Sequence, residues 1–181
     1  MPIALSPTSK ITIAGMSGCG KTILARHILT SYQRRAIWDA QGEYRDFGSY
    51  QPRDYTREEF DKFAKAVWEN GNVMFVVEEC EEFLTNIGMS KYMHRIANRG
   101  RHRGIGYIAI TRRIANVNKT VFGLSSDMFL YRQFLPNDLR YLKEFIPERI
   151  VDSLPKIADF EYLHYSKGKA VKMKPVPLYS M

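Results

Sequence analysis

The chain has 181 residues, 45% of them hydrophobic, which suits one folded α/β unit with a buried core rather than a disordered or fibrous chain. Lysine and arginine outnumber aspartate and glutamate by 27 to 19, a formal charge of +8, so an anionic partner such as nucleic acid is favoured over an acidic one. The start, MPIALSPTSK, lacks a basic segment followed by a long apolar stretch, and the longest apolar run elsewhere, Val73 to Val77, is too short to span a bilayer, so neither a leader nor membrane insertion is expected.

The elements alternate along the chain. Lys10 to Ala14 reads as a strand entering a glycine-rich turn, followed by a helix over Lys21 to Tyr32 with Ile23, Leu24, Ile28 and Leu29 on one side. Arg35 to Ala40 is a second strand, and Gln41 to Tyr55 a long polar and aromatic connection of the kind that often carries function. Thr56 and Glu59 have the spacing of a capping box, opening a helix with Phe60, Phe63, Ala64 and Val67 on its apolar face. Asn72 to Val77 is a strand apolar on both faces, as in a parallel sheet.

A helix is expected over Asn86 to Asn98, a strand over Gly106 to Thr111, an ill-defined stretch to Ser126, and a strand over Met128 to Arg132. Past Pro136 a helix runs to Phe145, and Phe160 to Pro175 reads as a C-terminal β-hairpin turning at Lys167 and Gly168, with lysines that discourage edge pairing. The expected architecture is α/β, a mainly parallel central sheet flanked by helices, with residues 1–181 forming one domain. Cys19 and Cys80 form neither a metal-binding pair nor a disulfide framework; they read as packing residues in a reducing cytoplasm.

The string GMSGCGKT, Gly15 to Thr22, fits the phosphate-binding loop GxxxxGKT and lies between a strand and a helix, as its mechanism requires. Gly15, Gly18 and Gly20 let successive backbone N–H groups point inward, with Ser17, Cys19 and Ile23 completing the loop and first helical turn. Lys21 is expected to reach the β- and γ-phosphates of ATP and Thr22 to ligate Mg2+. At the end of the third strand, Glu78 is assigned to the metal and Glu79 to polarising the attacking water; Glu81 and Glu82 are expected to cap the next helix.

Several segments resemble the HerA branch of the FtsK/HerA superfamily of P-loop ATPases. Asp39-Ala-Gln-Gly-Glu-Tyr44 is similar to its DPxGEY segment, VVEECEEF to its VEEAHxF motif, and Asn98 to Gly106 followed by Ile-Ala-Ile-Thr-Arg-Arg113 to its RxGRxxGxG stretch and sensor strand. The matches keep family order over residues 10 to 135. Glu78, where the FtsK branch has aspartate, fits the HerA branch, while Arg112 stands where the sensor normally carries glutamine, a place from which a basic residue could contact phosphate.

The resemblance implies a RecA/HerA-like fold, ATP hydrolysis, and a homo-oligomeric ring, usually hexameric, in which an arginine of one subunit completes the next site; Arg99, Arg101 and Arg103 are the candidates. Lys91, Arg95 and Arg99 share a helical face, with His94 and His102 nearby, and solvated surface, subunit contact and DNA contact are all open readings of it. On this resemblance the expected function is ATP-driven translocation of double-stranded DNA by a viral genome-packaging motor, with a portal or capsid vertex as a further partner and the host cytoplasm or virion as its place. The alternatives are a morphogenesis or secretion ATPase of the zonular-occludens-toxin type, and a non-motor nucleotide switch or kinase.

Overall fold

The computed structural model describes residues 5–177; the first four residues, part of the stretch in which no leader is expected, lie outside the described residues. One seven-stranded sheet runs through the molecule: β1 (Lys10–Ala14), β2 (Arg35–Trp38), β3 (Val73–Val77), β4 (Ile105–Thr111), β5 (Asp127–Leu130), β6 (Tyr162–Ser166) and β7 (Lys169–Met173), in the spatial order β2-β3-β4-β1-β5-β6-β7. The first five are parallel; β6 and β7 extend the sheet as an antiparallel hairpin, with Lys167 and Gly168 at positive φ in its turn.

The helices are α1 (Lys21–Leu29), α2 (Arg57–Asn70), α3 (Lys91–Arg99), α4 (Lys119–Gly123), α5 (Pro136–Lys143) and α6 (Glu148–Val151). The chain first steps outward from β1 to β2 and then returns through β3 and β4 to β5. Because parallel crossovers are right-handed, α1 must lie on one face of the sheet and the helices of the return path on the other. The core divides accordingly. Ile11, Ile13, Met74, Val76, Ile108 and Ile110 pack with Leu24, Ala25 and Ile28 of α1, whereas Phe75, Val77, Tyr107 and Ala109 pack with Phe60, Ala64, Met93, Ile96 and Phe122 of the opposite layer. Strict alternation along buried strands thus supplies two cores from one sheet.

The strands fall within a residue or two of expectation, but the third helix does not. It starts at Lys91 rather than Asn86, because the Ser90 hydroxyl caps it by accepting from the Tyr92 and Met93 N–H groups. The preceding segment is spent on bridges between Leu84 and Met89 and between Thr85 and Val117. Glu81 and Glu82 sit in a short 3-10 turn, Cys80–Glu82, so they do not cap that helix. The stretch before β5 contains the 3-10 turn Ile114–Asn116 and α4, and the segment after α5 continues as α6. Both cysteines are free, and Cys80 is buried in the core. No helix among the described residues is long and apolar enough to cross a membrane.

An aromatic cluster closes the side of the sheet beneath the long connection. Trp38 meets Phe60 and Phe83 edge-on at 5.2 Å, and Phe60 stacks on Phe83 at 4.8 Å, while Tyr50 and Tyr55 pack onto Trp38 from above. Thr56 caps α2 through the Glu59 N–H, but the Glu59 carboxylate turns upstream and accepts from the N–H groups of Arg53, Asp54 and Tyr55. It therefore staples the end of the connection instead of closing a reciprocal box. Since Phe60 is fully buried at the centre of this cluster, Phe60→Ala is expected to destabilise the protein by about 3–5 kcal/mol in urea unfolding monitored by circular dichroism.

Candidate functional site

Parallel strands end together. Ala14 pairs with Thr111 and with Leu130, and Val77 with Ala109, so the carboxyl ends of β3, β4, β1 and β5 form one rim. The direction of the chain reverses about β1, and open α/β sheets bind ligands at such a rim. A cavity of about 390 Å3 lies there, lined by Ser17, Gly18, Gly20, Lys21, Thr22 and Ile23 from the glycine-rich loop and by Glu78, Glu79 and Arg112 from the neighbouring strand ends.

Two glycines are required by the geometry of the loop. A Cβ on Gly15 would stand 2.5 Å from the Tyr131 Cβ, and Gly20 begins α1 with φ of 100°, a conformation open to few other residues. No side chain caps α1, so its first N–H groups face the cavity with the positive end of the helix. Lys21 is buried, and its pKa is lowered, chiefly by that burial; its ammonium donates to the Met16 carbonyl at 2.7 Å and lies 4.0 Å from the Cys19 Sγ.

The second half of the site is acidic. Asp39, at the end of β2, is fully buried and accepts from the Glu43 and Tyr44 N–H groups, both at 2.9 Å, and from the Ser49 hydroxyl at 2.7 Å. Arg26 of α1 donates to the Glu43 carbonyl and bridges both oxygens of Asp46. Together these bonds fold the connection back over the rim, so that the Glu43 carboxylate accepts from the Thr22 hydroxyl at 2.6 Å. Glu78 faces the same space. Its carboxyl is pushed up to about 9, first by burial and then by the Glu43 and Asp39 carboxylates, and its Oε2 is buried without a hydrogen-bond partner.

A hydroxyl beside two carboxylates, one with an orphaned oxygen, is a donor set that fits a small divalent cation with oxygen preference. Among the described residues no three acidic, histidine or cysteine side chains form a self-sufficient metal site.

Glu79 occupies the left-handed region at φ 48°, uncommon for a non-glycine residue and costly unless the surroundings enforce it. Its Oε1 pairs with Arg112 at 2.8 Å, and its Oε2 accepts from Gln41 Nε2 and the Tyr55 hydroxyl, both at 3.1 Å. The Arg112 N–H donates to the buried Glu81. Arg112 therefore lies at the rim and spans two of the glutamates that follow β3.

The structure brings together Gly18, Gly20, Lys21, Thr22, Glu78, Glu79 and Arg112; Gly15 and Cys19 support the loop from behind. Arg99, Arg101 and Arg103 sit elsewhere, at the amino end of β4, whose seven residues separate them from the rim by roughly 20 Å. Arg103 is committed to its own chain, donating to the Trp68 and Glu69 carbonyls at the end of α2. Arg99 and Arg101 are exposed and form no ion pair among the described residues; Lys91 and Arg95 share the exposed face of α3 and flank Tyr92. Sequence reasoning passed over the placement of Glu43, Gln41, Tyr55 and Glu81 at the rim, although Glu43 lies inside the DAQGEY segment.

No family model and no curated protein sequence matches the chain. Among solved structures, the fold is similar to that of the genome packaging NTPase B204 of Sulfolobus turreted icosahedral virus 2 in complex with AMPPCP, with a TM-score of 0.81, 18% identity and coverage of 95% of this chain and 100% of that one. It is also similar to VirB4 of Thermoanaerobacter pseudethanolicus (TM-score 0.68, 12% identity, 93% of this chain and 89% of that one). A third similar structure is EssC (ATPases 2 and 3) of Geobacillus thermodenitrificans (TM-score 0.67, 15% identity, 95% and 40%). The chain has the fold of the P-loop NTPases, as its motifs led one to expect.

Glu78 gives the site a pH signature. Free of ligands, the folded protein holds a proton there from about 4.5 up to about 9 that the unfolded chain releases, so the stability this group contributes is present below this window and is lost as pH rises through it. Glu78→Gln removes the titration: in thermal melts without nucleotide or Mg2+, the variant should lose less stability between acid and alkaline pH than the unsubstituted protein, and parallel profiles would contradict the assignment.

Proposed function

We propose that this chain is a Mg2+-dependent ATPase of the HerA type that drives double-stranded DNA through a ring of its own copies, as a genome-packaging motor of a virus. The observation that carries the ATPase reading is the convergence of Lys21, Thr22, Glu78 and Glu79 around one cavity at the sheet's carboxyl rim. The likeness in fold to a viral packaging NTPase over its whole length supports the more specific part.

In this reading the loop N–H groups and the start of α1 bind the phosphates, and Lys21 exchanges its bond to the Met16 carbonyl for the β- and γ-phosphate oxygens. Thr22 and Glu78, with Glu43 beside them, would hold Mg2+, and the ion would supply neutralisation of charge on the phosphate oxygens. Glu79 takes the proton of the attacking water. A carboxylate offers about four acceptor positions, and Arg112, Gln41 and Tyr55 use three, which leaves one for water while fixing the group's direction. Arg112 orders Glu79 from the position at which the HerA family carries its glutamine sensor.

The place of Arg99 and Arg101 supports action between subunits, because they cannot reach the phosphate site of their own chain. As exposed guanidinium groups next to Lys91 and Arg95, they suit either the neighbour's phosphates or a DNA backbone, which is gripped by charge without reading bases.

ATP turnover with and without duplex DNA, over a range of protein concentrations at low salt, tests this. Stimulation by DNA that grows with concentration is expected. Lys21→Ala should abolish nucleotide binding, whereas Glu79→Gln should bind ATP and lose turnover by roughly a hundredfold or more. Turnover indifferent to DNA under conditions where the chain assembles would overturn the motor reading and leave only the ATPase.

A further inference from the structure

Beside the phosphate cavity lies a second, smaller one of about 190 Å3, lined by Gly20, Ile23, Tyr131, Phe160, Pro175 and Val176. The two share Gly20, Ile23 and Phe160, so a ligand whose phosphates sit in the first continues naturally into the second. Phe160 stands between them with its side chain half exposed, and it holds a left-handed backbone at φ 63°, a strained conformation for an aromatic residue. Its neighbour Asp159 pairs with Arg132, just beyond β5, at 2.6 Å, and the ring lies beside Gly20 at the start of α1.

We propose that this cavity is the nucleobase subsite, that Phe160 stacks on the base, and that the subsite does not distinguish one base from another. The proposal rests on the reading of the first cavity as a phosphate site. Its ground is the chemistry of the lining. Ile23, Phe160, Pro175 and Val176 are apolar, Gly20 has no side chain, and the hydroxyl of Tyr131 donates its one proton to the Gly20 carbonyl at 3.1 Å. Among the described residues, no lining side chain keeps a free hydrogen-bond donor for the edge of a base. Strong discrimination requires such polar groups, whereas stacking accepts any base because every base has a π-face. The chemical class of substrate is then any nucleoside triphosphate, recognised through its phosphates and the flat face of its base.

The full chain, titrated by calorimetry with the Mg2+ complexes of ATP, GTP, CTP and UTP and with tripolyphosphate as a base-free probe, tests this, with turnover of each nucleotide measured in parallel. The four nucleotides should fall within about tenfold of one another in kcat/KM. Phe160→Ala should weaken binding of all four by roughly tenfold and Phe160→Trp should preserve it, with tripolyphosphate bound alike by all three proteins. A preference for one base beyond about a hundredfold would overturn base indifference. Equal weakening of tripolyphosphate by Phe160→Ala would overturn the stacking role, since the ring would then act on the phosphate loop. If the unsubstituted protein binds neither tripolyphosphate nor nucleotide, the phosphate-site reading fails and this proposal with it.

Discussion

The parallel register of β3, β4 and β1 is the constraint on which the site depends. With β4 placed between the other two, the strand carrying Gly15 at its end and the strand carrying Glu78 at its end are held one strand apart, and Arg112 is delivered into the gap. A slip of one residue would turn every side chain of a strand to the opposite face and bring its end out of line with the rim. The two cores prevent that slip, since each strand buries alternate residues in two different layers and neither set can move without exposing the other.

The rim concentrates charge of both signs where burial makes it costly. Lys21 and Glu78 are both displaced by burial toward their neutral forms, and the Glu78 oxygen without a partner leaves the acidic side short of positive charge. Magnesium triphosphate would answer both needs, bringing anionic oxygens to the lysine and the helix end and a cation to the carboxylates. The folded chain thus carries a cost that its proposed ligand removes, which is how a site becomes selective for that ligand over water. Glu79 stands apart from this group: its backbone is strained, and three contacts to Arg112, Gln41 and Tyr55 fix the direction of its carboxylate.

Much of this was legible in the sequence where the chemistry is local. The loop from Gly15 to Thr22 is specified by glycines, a lysine and a threonine at fixed spacing, and Glu78 and Glu79 follow directly on an unmistakable buried strand. What escaped was assembled over distance. Glu43 reaches Thr22 because Asp39 gathers three donors and Arg26, one turn further along α1, clamps the loop, contacts that no period or propensity announces. The helix expected from Asn86 fails for a related reason: the residues before Ser90 pair with segments beyond their own neighbourhood, and tertiary bridges override the local pattern. Phe160 is a single aromatic before a hairpin, and only its position beside Gly20 gives it meaning.

Every role proposed for the rim depends on phosphates occupying its cavity. Amide chemical shifts of the isotope-labelled chain, followed during titration with Mg2+ and a non-hydrolysable ATP analogue, address this directly. The largest changes should fall on Gly18, Gly20, Lys21 and Thr22, with a second group at Glu78 and Glu79 that appears only when Mg2+ is present. Changes centred on Arg99 to Arg103 under conditions where the chain is monomeric, or none at the glycine-rich loop, would contradict the account.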